Sequence, residues 1–142
     1  YPHQIERLGG RYTGEWHLQS NLGFGTFSWV AGDIIHDQGS SPEFPTLEVP
    51  IYGSCEFLVS GGKTGGQITI TDEASGFTCS PKLPPQGDQM TVMQISVPAS
   101  VSYRTLRLTA RTPGPILYGI LCRERQPELP HVRFTYESLP KP

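Results

Sequence analysis

Hydrophobic and polar residues alternate with a period of two along most of this chain, and no ten-residue window carries a clean helical period. In RYTGEWHLQ, the side chains of Tyr12, Gly14, Trp16 and Leu18 point one way in an extended backbone, and those of Thr13, Glu15, His17 and Gln19 point the other. After turn residues at Ser20, Asn21 and Gly23, GFGTFSWV sets Phe27 and Trp29 on one face and Phe24, Thr26, Ser28 and Val30 on the opposite one. The two stretches are expected to form an antiparallel pair. TLEV, between two prolines, predicts a short edge strand, because each Pro removes a ladder donor. SCEFLVS puts Cys55, Phe57 and Val59 on one face, QITITD alternates Ile68 and Ile70 with Thr69 and Thr71, and GGKTGG between them reads as a hairpin loop.

Short strands are predicted around Phe77 to Cys79 and in MTVMQISV. The cleanest alternation is YRTLRLTAR, with Leu106, Leu108 and Ala110 inward and Thr105, Arg107, Thr109 and Arg111 outward; it predicts a sheet with one wet face. Arg104 faces opposite to Arg107 and Arg111, which weakens the case for an arginine row that contacts an acidic partner. ILYGILC follows a Pro-Gly-Pro turn and is nearly all apolar, so it predicts a strand buried on both faces in the middle of a sheet. HVRFTYES closes the chain with Val132, Phe134 and Tyr136 on one face. Eight or nine strands at these intervals predict an all-β fold, an antiparallel β-sandwich or jelly roll with little helix.

Composition agrees with that class. With 142 residues the chain is one domain in size, residues 1–10 reading as an arriving linker and 11–142 as the sandwich. Sixteen glycines and fourteen prolines leave little room for helices. A net charge of −2 gives no electrostatic case for nucleic acid, and no apolar run approaches the roughly 20 residues that span a bilayer. The chain does not begin with Met, so residue 1 is expected to be a cut point in a longer protein. Cys55, Cys79 and Cys122 are few, odd in number and far apart, which predicts free thiols in a reducing compartment, with one pair and one free thiol as the alternative. GGKTGG lacks the spacing of a phosphate loop. Asp33, His36 and Asp37 could ligate a divalent ion, but Ile34 and Ile35 beside them suggest an anchored loop with solvated charges, so neither metal nor cofactor is expected.

The segment also carries a likeness. Tyr12, Gly14, Trp16 and His17, then Phe27 and Trp29, then Asp33, then Pro45, Thr46, Val49 and Pro50 fall in an order and spacing that resembles the protruding domain of iflavirus capsid proteins, and the tail HVRFTYESLPKP resembles the end of such a domain. These are insect picorna-like viruses, some of which carry a globular domain outside the shell. The resemblance implies display on the virion surface after assembly in the host cytoplasm, with other capsid subunits and a host receptor or membrane lipid as partners.

It also implies a site. His17 and Asp33 match positions where some of these domains hold an Asp-His-Ser constellation, in which the serine follows the histidine. Here Leu18 stands in that place, so Ser20 is the nearest substitute and Ser28, on the facing strand, a second candidate nucleophile. The expectation is a hydrogen-bonded polar crevice at His17 and Asp33 that contacts a receptor or lipid, with Trp16, Ser28, His36 and Asp37 as further binding candidates. Two other classes stay open: a carbohydrate-binding jelly-roll module of a larger enzyme, with Trp16 and Trp29 as a stacking platform, and an esterase based on His17 and Asp33. Shared faces with other apolar residues favour core positions for both tryptophans.

Overall fold

The computed structural model describes residues 10–21, 26–36, 39, 41–86, 92–100 and 103–124. Its strands, in chain order, are β1 (Arg11–Thr13), β2 (Trp16–Asn21), β3 (Thr26–Ala31), β4 (Thr46–Ile51), β5 (Cys55–Ser60), β6 (Gly66–Asp72), β7 (Phe77–Cys79), β8 (Lys82–Leu83), β9 (Met93–Val97), β10 (Arg104–Ala110) and β11 (Ile116–Cys122). One sheet runs β1-β4-β10-β6-β7, with β8 also on β6, and the other runs β2-β3-β11-β5-β9; all pairings are antiparallel. This is a β-sandwich of jelly-roll type, and no helix occurs among the described residues.

The strict alternation in β4, β6 and β10 produces the first inner face: Leu47, Val49 and Ile51; Ile68 and Ile70; Leu106, Leu108 and Ala110. Trp29, Cys55, Phe57, Val59, Val97, Leu117 and Ile120 of the second sheet pack against it in one cluster. Fully burying an aliphatic side chain of this kind is worth about 1.5–3 kcal/mol, so the shared layer is what holds the sheets together. β11 lies at the centre of its sheet and is apolar on both sides, since Ile116 and Tyr118 pack with Leu58 in a second cluster on the outer face.

Four expectations are corrected. The stretch from Tyr12 to Gln19 is not one strand: it breaks at Gly14, where φ is +81°, and β1 and β2 enter different sheets. A Cβ on Gly14 would sit 2.8 Å from the Pro45 Cα, so this corner requires glycine. GGKTGG is not a hairpin loop either. β5 and β6 belong to opposite sheets and GGKTGG carries the chain across, its backbone pressed against Gly114 and Leu83–Pro84 at Gly61 and Gly62.

β4 is longer than TLEV and lies between β1 and β10; Pro50 is tolerated because β1 pairs only with residues 46–48, leaving a neighbour on one side of Pro50. Finally, β11 carries a bulge between Leu117 and Gly119 that shifts its alternation, so Leu117, Ile120 and Cys122 face inward and Leu121 is 49% exposed. The strand expected in HVRFTYES lies outside the described residues.

Candidate functional site

Among the described strands β1 and β2 are each at an edge of their sheet, and the corner at Gly14 joins them. Across the first sheet, Tyr12, Leu47, Leu108, Ile70 and Cys79 occupy one continuous register row on the inner side. Tyr12 ends that row at the rim and is 46% exposed. Its ring meets Trp29 edge-on at 5.2 Å between centroids, and Trp16 meets the same indole at 6.1 Å and 80°. Trp16 is half-buried, with its Nε1–H donating to the Thr13 carbonyl at 3.1 Å, and Leu18 shares the row of Trp29. The rim is therefore a step of two accessible rings seated on a buried third. Sequence alternation correctly placed Trp29 in the core; Trp16 is only partly there.

A polar group flanks Trp16, with His17 on the opposite face of β2. Glu15 Oε2 accepts from His17 Nε2 at 3.1 Å and from the Asp33 backbone N–H at 3.0 Å, while the Gly32 N–H donates to the Glu15 carbonyl at 2.8 Å. A Cβ on Gly32 would meet the Glu15 carboxylate, which would have to shift. The Asp33 amide, and after it His17, hold the Glu15 carboxyl below its usual range. His17 is exposed, so its imidazole can meet a ligand from solvent.

His17 is thus bonded to Glu15 and not to the Asp33 carboxylate, while the backbone amide of Asp33 donates to Glu15. Glu15 was the residue missed, although it shares the polar face of His17 two positions away, the signal that could have found it. Ser28 lies on the face of His17, but its hydroxyl is buried without a hydrogen-bond partner. Ser20 falls within β2, with its side chain outside the described residues, as is Asp37; His36 is exposed. Among the described residues no serine hydroxyl bonds to His17. No group of three or more His, Cys, Asp or Glu that could hold a metal occurs among them either. What the rim does offer is apolar ring surface beside a carboxylate and an imidazole.

No protein-family model matches this chain, and no curated protein sequence does. Solved structures do. The chain is similar to the C-terminal CBM6, a carbohydrate-binding module, of LamC, a marine laminarinase from Zobellia galactanivorans, with a TM-score of 0.56 and 14% identity over 78% of this chain and 88% of that one. It is also similar to the exo-β-1,3-galactanase of Phanerochaete chrysosporium with galactose, with a TM-score of 0.51 and 15% identity over 79% of this chain and 27% of that one. A carbohydrate-binding module of Cellvibrio mixtus lichenase 5A, in complex with cellotriose, matches with a TM-score of 0.49 and 21% identity over 84% of this chain and 92% of that one. At these identities the likeness is one of fold, the two-sheet sandwich.

Proposed function

We propose that this domain binds carbohydrate at the rim formed by Tyr12, Trp16 and the Glu15–His17 pair. The observation that carries the reading is Tyr12: a large ring 46% exposed, held at a fixed angle by a buried tryptophan. Such a ring loses little freedom on binding and presents an apolar face to the C–H side of a sugar. Glu15 accepts from sugar hydroxyls and His17 can donate to or accept from them, which fixes orientation. The fold likeness to a carbohydrate-binding module supports this reading.

Affinity electrophoresis through gels containing laminarin or a β-1,3-linked galactan tests it, those being the polysaccharide types named by the enzymes above. Retardation of the native domain, lost in Tyr12→Ala, is the expected result. Unretarded migration through both gels, and through a panel of other plant and microbial polysaccharides, would overturn the proposal.

The second reading, a virion-surface domain that contacts a host receptor or membrane, draws its support from the sequence resemblance of the same segment; the similar solved structures lend it none. Copurification of the domain with assembled particles would put this reading first.

A further inference from the structure

The structure pairs two of the three cysteines. All three are free thiols, but Cys55 opens β5 and Cys122 ends β11, and the two stand directly opposite each other in the antiparallel register. The next pair outward identifies their geometry. The Arg123 N–H donates to the Ser54 carbonyl at 3.1 Å, so Cys122 and Cys55 occupy a non-hydrogen-bonded position of the ladder. In such positions Cα atoms typically lie about 4.5 Å apart with side chains close together on one face, and disulfides span Cα separations of about 4.4–6.8 Å. Both side chains face the core layer, beside Phe57, Val97 and Ile120. The strand ends are fastened in this register a second time, because Glu124 Oε2 accepts from the Ser54 N–H at 3.0 Å.

We propose that Cys55 and Cys122 form a cross-strand disulfide by exchange with a small disulfide such as oxidised glutathione, leaving Cys79 as the free thiol. The Cys122 thiolate attacks one sulfur of glutathione disulfide and expels a glutathione thiolate. The Cys55 thiolate then attacks the Cys122 sulfur of the mixed disulfide and expels the second. The two protons given up by the cysteines end on the two glutathione thiols, so electrons and atoms balance. Cys122 goes first because it is half-buried whereas Cys55 is fully buried. Burial pushes the thiol of Cys55 up to about 12, with the neighbouring Cys122 adding to it, and that of Cys122 up to about 11, so exchange is slow until the strand ends open. Cys79 is on β7 of the other sheet, with Ile70 opposite it, and has no cysteine in register.

Folded protein equilibrated in a buffer dominated by oxidised glutathione, then alkylated in denaturant and mapped by mass spectrometry, provides the test. Two of the three thiols should be lost, with the peptides of Cys55 and Cys122 linked, and reductant should restore both thiols and lower Tm. Cys79→Ser should leave the link intact, and this variant keeps the test available where Cys122→Ser fails to fold. Three alkylatable thiols after equilibration, a link that includes Cys79, or a stable glutathione adduct on Cys122 would each overturn the proposal. Its outcome is independent of carbohydrate binding.

Discussion

Arg104 carries a charge into the core with almost no exposed surface. Its Nε donates to Asp72 Oδ2 at 3.3 Å, its Nη1 to the carbonyls of Ile51 and Gly53 at 2.6 Å each, and its Nη2 to the Pro98 carbonyl at 2.8 Å. Asp72 in turn accepts from the Ala74 N–H and the Ser75 hydroxyl. One side chain thus ties the ends of β4, β6 and β9. Removing it leaves the Asp72 carboxylate buried without its cation, so Arg104→Met should cost about 3–5 kcal/mol. Urea unfolding would measure this, and a loss under about 1 kcal/mol would mean that the pair adds little beyond a hydrophobic replacement. The aromatic step divides differently. Trp29→Ala empties a fully enclosed site and should cost about 3–5 kcal/mol. Tyr12→Ala should cost no more than about 1.5 kcal/mol, the worth of one edge-on ring pair. Equal losses in the two variants would show that Tyr12 is structural and would weaken its use as a probe of binding.

Among the elements, β4 shows how the wet face holds an edge strand. Glu48 lies between Arg11 of β1 at 2.7 Å and Arg107 of β10 at 3.0 Å, in one cross-strand row. The hydrogen bond from Arg11, then that from Arg107, holds the Glu48 carboxyl below its ordinary value. A folded pKa below the unfolded one means stability that is present above the ordinary glutamate value of about 4.3 and lost as pH falls through the folded value. The urea midpoint of the native protein should therefore drop further between about pH 5 and pH 3 than that of Glu48→Gln. Identical drops would show that the row contributes nothing to folding. This face was legible in YRTLRLTAR, because each residue of β10 answers to a single layer. What the pattern could not show were the places where the chain changes layer. Gly14 breaks RYTGEWHLQ through a close approach to Pro45, a residue distant in sequence, and the bulge at Gly119 resets an alternation that looked uniform because ILYGILC is apolar throughout. The Glu15–His17 bond depends on that same corner, and alternation along one straight strand gives no sign that His17 meets Glu15 and not the Asp33 carboxylate.

At the scale of the whole molecule, the order of assembly follows from which strands are central. β10 lies between β4 and β6 in one sheet, and β11 lies between β3 and β5 in the other. Both come late in the chain, after every strand that they join. Without them the first sheet falls into β1 with β4 and, separately, β6 with β7 and β8; the second falls into β2 with β3 and β5 with β9. Ladders of two or three short strands with no opposing layer are marginal at best in water. Leu106, Leu108, Leu117 and Ile120 would also leave the shared core, and with them much of what holds the sheets face to face. A chain ended after Val97 should consequently show no cooperative urea transition and poor amide dispersion in NMR, whereas the chain of 142 residues should unfold in one step. A sharp transition in the fragment would mean that one half-sheet pair folds alone and that β10 and β11 merely dock on it. The pairings that these strands make are distant in sequence, so closing them is slow, and the roughly millisecond-to-second folding of β-sandwiches is the expected range.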